Sequence, residues 1–322
     1  MFNLNYLELF ILNTIIYFDL FDYPLTLSEI CKFLSTGGME GGSYTLLEID
    51  ECLTTSKKLK KFITTKRGFY FLKGRGEIID IRLERYALAN PKFKIALRAI
   101  NCLKYLPFVK FIAVCNNLAY SNAKAESDID LFIITAKNRI WLVRFYSIFL
   151  MALLGLRPPK TKVKDKICLS FFVTEEALDL TQIKVGAEDI YLVFWLATLW
   201  PAYDRDNFYQ KLIAANAWLL KYLPNWQPVE PNLRYKAEDN YYNATLYNLK
   251  EFVLKSFMGN WWENLLKQIQ LKFMSQKKKD LAVLGDKRVI ISDSILKFHE
   301  NDRRMEYQEK FEKKREELLK NL

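Results

Sequence analysis

At 322 residues, with 48 Lys and Arg against 37 Asp and Glu, the chain carries a formal charge of +11, and its apolar content suffices for the cores of two or three domains. The basic balance favours contact with phosphate, nucleic acid or another anionic surface. The five cysteines, Cys31, Cys52, Cys102, Cys115 and Cys168, have no C-x-x-C spacing and lie mostly in apolar periodic segments, which argues against a zinc site or a disulfide framework and predicts reduced core residues in a cytoplasmic setting.

The opening stretch MFNLNYLELF lacks a basic leader followed by a small-residue cleavage site, so no signal peptide is expected. Residues 4–19 have helical periodicity, Asp22-Tyr23-Pro24 breaks it, and Thr26 followed by Glu29 marks the start of a second helix. After the glycine-rich insertion 37–42, residues 46–56 support a third helix. Residues 60–64 and 68–72 then read as a hairpin around Thr65-Lys66-Arg67. Three short helices and a two-stranded wing describe a winged helix. Lys57, Lys58, Lys60, Lys61, Lys66 and Arg67 cluster beside the third helix and the wing, where such modules meet a nucleic-acid backbone. The plainer alternative is a solvated basic face on a module that binds protein or packs on its neighbour.

Residues 77–105 read as helical with a break at Asn90-Pro91. Residues 108–115 (FVKFIAVC) are strand-like. Beyond Asn116-Asn117 and the small polar stretch SNAKAES, the run Ser127-Asp128-Ile129-Asp130 opens a second apolar strand. On a strand, residues i and i+2 share a face about 7 Å apart, so Asp128 and Asp130 project together while Ile129 turns into the core. Two carboxylates crowded on one face repel unless a cation lies between them, and hard oxygen ligands suit Mg²⁺ or Mn²⁺. The alternative is a pair of turn and cap residues where a loop enters a strand. Residues 140–156 (IWLVRFYSIFLMALLGL) are of marginal length for a membrane span and hold Arg144, which predicts a buried or peripheral helix behind the sheet and no membrane contact.

Residues 167–173 (ICLSFFV) read as a strand, and the chain beyond turns mostly helical. Segments 191–200, 208–223 and 247–274 carry Trp, Phe and Leu at helical spacing. Trp261-Trp262 is read first as core, with the lining of a base-binding cleft as the alternative. The sole histidine, His299, lies in LKFHENDRR. His299, Asp302 and Arg303 would share one helix face and reach toward phosphate, against the plainer reading of His299 as a structural hydrogen-bonding group. Residues 301–322 alternate acids and bases, which predicts a terminal helix with i to i+4 ion pairs, solvated or paired with a partner helix.

The order strand, small polar loop and S-D-I-D-L strand resembles the nucleotidyltransferase fold of the DNA polymerase beta superfamily. Residues 16–27, 167–173, 216–225 and 296–304 are similar to bacterial proteins that carry such a domain behind an N-terminal winged helix. The resemblance implies an α+β fold: a winged helix over 1–76, a nucleotidyltransferase-like domain with a mixed sheet over 77–185, led by helices in 77–105, and a helical region over 186–322. It implies that Asp128 and Asp130 are catalytic and hold Mg²⁺ or Mn²⁺. Asn116 and Asn117, in place of the usual Gly-Ser pair, would border the triphosphate of an NTP together with Ser127. The reaction would move a nucleotidyl group to an acceptor hydroxyl or phosphate. A third carboxylate belongs on the 167–173 strand, where Ser170 stands, with Asp165 and Glu175 at the strand's ends as alternatives. Two other outcomes stay open, a catalytically degenerate fold that binds nucleic acid or regulates, and a transferase that modifies a partner protein.

Overall fold

Each of the first three helices begins on a residue that closes its own N-terminus. In α1 (Tyr6–Asp19), α2 (Leu27–Lys32) and α3 (Leu46–Thr55), the caps Asn5, Thr26 and Thr45 each form a reciprocal box with a glutamate three residues on. The computed structural model describes residues 4–157, 163–237, 251 and 257–320. After the short helix α4 (Leu59–Phe62), strands β1 (Ile63–Lys66) and β2 (Phe69–Leu72) form an antiparallel hairpin, and Leu25 bridges to Tyr70 beside it. The hairpin is displaced from its expected position. The Leu59–Phe62 helix takes residues assigned to the first strand, and the turn is Arg67-Gly68, with φ of +55° and +77°, a two-residue connection that matches strand twist.

The long helix α5 (Ile78–Leu103) runs through Asn90-Pro91 without the expected break. Pro91 is exposed, while Phe93, Ala96, Ala99, Ile100 and Leu103 are buried against the sheet, so apolar packing outweighs the one hydrogen bond proline omits.

Six strands form one mixed sheet: β3 (Val109–Val114), β4 (Ile129–Thr135), β5 (Ile167–Thr174), β6 (Trp200–Asp204), β7 (Val289–Ile291) and β8 (Ile295–Phe298), in the order β6-β3-β4-β5-β8-β7. The one-turn helix α6 (Asn116–Ala119) follows β3, and only β4 and β5 run parallel, joined by a crossover that contains α7 (Ile140–Leu153). Three of these strands lie beyond residue 185, so that region is not helical alone. Trp200, expected at the end of a helix, opens β6, because the preceding helix α8 (Ile190–Thr198) stops two residues earlier. Segment 208–223 is divided at Asn216, whose side chain bonds the carbonyls of Leu178 and Leu212, into α9 (Phe208–Ala215) and α10 (Leu219–Tyr222). Much of segment 247–257 lies outside the described residues. Helix α11 (Phe257–Phe273) follows, then α12 (Gln276–Val283) and α13 (Arg304–Lys320).

Alternate residues divide the sheet into two faces. Phe111, Phe132, Phe171 and Val173 join a cluster with Ile11 and Phe18 of α1, Phe194 of α8 and Phe311 of α13. Ile112, Leu131, Ile133 and Phe172 join another with α5, Trp141 of α7 and Leu266 of α11. As expected, α7 lies behind the sheet. Its Arg144 donates to Gln270 Oε1 at 2.6 Å and sits 4.5 Å over the Phe298 ring, and burial pulls its pKa down to about 10. No helix among the described residues is long and apolar enough to cross a membrane. Trp261 and Trp262 are 55% and 38% exposed, so they are not core. Helix α13 carries the expected Glu306–Lys310 pair but is not solvated all round. It docks Phe311 and Leu319 into the core and pairs Lys314 with Asp19 of α1.

Candidate functional site

The ladder between β3 and β4 extends one step past β3, where Cys115 N donates to Asp130 O at 3.1 Å, and this fixes the entry of the acidic pair into the sheet. Ile129 is fully buried on one face, and Asp130 lies on the other with Phe132 and Ile134. Parallel pairing sets Asp130 opposite Cys168 of β5. An oxygen of Asp128, an oxygen of Asp130 and Cys168 Sγ all lie within 4.8 Å of one another. The expected convergence of the two carboxylates is therefore present.

Asn116, just past the end of β3, holds Asp130. Its φ of +57° is the left-handed turn that asparagine tolerates, and its Nδ2 donates to Asp130 Oδ2 at 2.8 Å. Its Oδ1 accepts from the Tyr191 hydroxyl at 3.3 Å. Among the described residues no lysine or arginine pairs with Asp128 or Asp130. Burial, and after it the charge of Asp128, pushes the Asp130 pKa up to about 6 against the Asn116 hydrogen bond. Burial also raises Asp128.

The other two expected phosphate-bordering residues are engaged in local bonds. Asn117 Oδ1 accepts from the Tyr120 hydroxyl at 2.7 Å, in an aromatic crevice beside Tyr17 and Phe21. Ser127 Oγ closes its own turn on Lys124 O at 2.9 Å, and Ser127 O accepts from Lys92 Nζ at 2.8 Å. Neither alternative acid supplies a third carboxylate. Lys92, 3% exposed on α5, clamps Asp165 at 2.6 Å. Glu175, at the far end of β5, accepts from Lys137 N at 2.9 Å. The third member of the cluster is instead Cys168, whose thiol is pushed up by burial and then by the charge of Asp130, and so stays protonated. The pairing register alone places it there, so its sequence gave no sign beyond an apolar cysteine.

The parallel register contains one extra residue on β5, since Asp130 and Phe132 pair with Cys168 and Phe171. Within that bulge Ser170 Oγ lies 2.8 Å from His299 Nε2, and Cys168 Sγ donates to Ser170 Oγ at 3.3 Å. His299 follows β8 in a turn, so His299, Asp302 and Arg303 do not share a helix face. All three nevertheless line one cavity of about 220 Å³ with Asn116, Tyr191, Trp195 and Tyr307. Asp302 is bound to Lys297 at 2.7 Å and to Arg304 at 2.9 Å, and those two cations hold its carboxyl low against the upward push of burial. Arg303 pairs outward with Glu306 at 2.6 Å.

Lys57, Lys60, Lys61, Lys66 and Arg67 are exposed and Lys58 is half-buried. The exposed face of α3 beside them carries Leu46, Leu47, Glu48 and Glu51, which is apolar and acidic. Comparison with models of protein families, with curated proteins and with solved structures finds no match.

Proposed function

We propose that this chain is a nucleotidyltransferase-type protein that holds one Mg²⁺ or Mn²⁺ between Asp128 and Asp130 and, through it, the phosphates of a nucleoside triphosphate. The observation that carries the reading is the convergence of two carboxylates and Cys168 Sγ within 4.8 Å; the nearest cationic influence is Lys92, whose charge reaches Asp128 while its ammonium is bound to Asp165 and Ser127 O. The donor set fits one hard cation through the two carboxylates, which supply anionic oxygen, while the protonated thiol of Cys168 packs beside them without serving as a ligand. Such an ion supplies charge neutralisation at the phosphates being transferred. The protein's own part is to orient. Tyr191 fixes Asn116, Asn116 fixes Asp130, and the adjoining cavity with Tyr191, Trp195 and Tyr307 offers aromatic walls to a base.

On the same reading the mixed sheet is a polymerase beta-like nucleotidyltransferase sheet, and the first three helices with their hairpin are a winged helix. The test is calorimetry of Mn²⁺ with each of ATP, GTP, CTP and UTP. Binding is expected in the wild type and lost in Asp128→Asn and Asp130→Asn, and unchanged binding in both variants overturns the site.

A nucleic-acid-binding role on a degenerate fold is supported by the exposed lysines of α4 and the hairpin. The acidic face of α3 opposes its insertion into a groove, so this contact would be to the backbone through Lys57, Lys60, Lys61 and Lys66. A mobility shift that weakens steeply with salt supports it, and a flat response removes it.

A further inference from the structure

From β4 to the end of β8 the sheet carries five neighbouring polar side chains, Asp128, Asp130, Cys168, Ser170 and His299, of which the cation site uses the first two. Ser170 stands on the strand where a third carboxylate was expected, and the β5 bulge places its Oγ 2.8 Å from the His299 imidazole. A hydroxyl within hydrogen-bond reach of an imidazole is the arrangement of an activated nucleophile and its base. Cys168 Sγ lies 3.3 Å from the same Ser170 Oγ, and in the Nδ1–H tautomer of the imidazole the Ser170 O–H donates to His299 Nε2. Burial, and after it the charge of Lys297, draws the His299 pKa down to about 4, which keeps the ring neutral and makes it a weak base in the absence of the anionic triphosphate. The same imidazole forms part of the wall of the 220 Å³ cavity.

We propose that Ser170 is a covalent acceptor, with His299 as its base, for the nucleotidyl group of the triphosphate held at Asp128 and Asp130; this rests on the metal–nucleotide reading above. Ser170 Oγ attacks the α-phosphorus and forms an O–P bond. The bond from that phosphorus to the oxygen bridging to the β-phosphate breaks, and pyrophosphate leaves with the electron pair. The Ser170 proton passes to His299 Nε2. The product is a serine-linked nucleoside monophosphate, either a stable self-modification or a relay to a further acceptor in the cavity.

The full chain is incubated with Mn²⁺ and each of the four common triphosphates and its intact mass is measured, with calorimetry of the same mixtures in parallel. One nucleotidyl mass is expected, mapping to Ser170, absent in Ser170→Ala although that variant still binds Mn²⁺–nucleotide, and formed about 100-fold more slowly in His299→Gln. Because His299 is the sole histidine, a ¹⁵N-histidine spectrum without metal or nucleotide reports the pair directly, and Ser170→Ala should shift its Nε2 resonance. An unmoved resonance, a mass that maps elsewhere, or nucleotide binding without added mass each overturns this inference and leaves the binding site standing. Absence of any Mn²⁺–nucleotide binding in the wild type overturns both.

Discussion

Asp130 combines a buried position, a charged neighbour and a single hydrogen bond, and that combination sets how the site responds to pH. Its folded pKa of about 6 lies above the ordinary value of 3.8, so its contribution to stability is fully present below about 3.8 and is lost as pH rises through about 6. Metal binding needs the ionised form and runs the other way. Mn²⁺ affinity should climb between pH 5 and 6.5 and level off above, which calorimetry across that range would test. Without metal, Asp130→Asn should stabilise the chain at pH 8 by about 1–3 kcal/mol in urea unfolding, because the uncompensated buried charge is gone. Asn116→Gly keeps the left-handed turn and removes the amide that holds Asp130. Mn²⁺ binding should weaken about tenfold while far-UV circular dichroism stays unchanged. The acidic pair and Asn116 were legible in the sequence, since a strand periodicity of two and the turn preference of asparagine are local properties. Cys168, Lys92 and Tyr191 were not, because a parallel register, a lysine reaching from α5 and a hydroxyl supplied by α8 are set only when distant segments pack.

At the level of elements, local signals predicted well where the chain caps itself and poorly where tertiary packing decides. The Thr26 and Glu29 box opens α2 as expected, whereas Pro91 was read as a break and lies inside a continuous helix whose buried side holds it together. Helix α7 shows the same dependence. Its N-cap Arg139 makes no capping bond, and Glu263 of α11 accepts from Trp141 N at 2.8 Å and Leu142 N at 2.9 Å. Glu263→Ala should cost about 2 kcal/mol in urea unfolding, since it leaves two buried donors unpaired. An effect below a few tenths would show that water replaces the cap. The strands of the C-terminal third escaped a reading based on helical spacing because β6 and β7 are five and three residues long and β8 four, too short for periodicity to stand out.

Across the whole molecule, one apolar cluster unites α1, a sheet face, α8 and α13, so the N-terminal helices are not an appendage. Chemical unfolding should give a single transition seen alike by tryptophan fluorescence and far-UV dichroism. Leu12→Ala, at a fully buried α1 position, should lower that one transition by about 3 kcal/mol. Two separated transitions would instead mark an independent N-terminal unit. The strand order has a further consequence for how the protein is made. β8 inserts between β5 and β7, and it arrives more than a hundred residues after the acidic strand has been synthesised. A growing polypeptide halted before Ile295 thus owns its acids but has neither the wall that carries the histidine nor a covered flank on β5, and competence at the sheet is delayed until translation has passed that point.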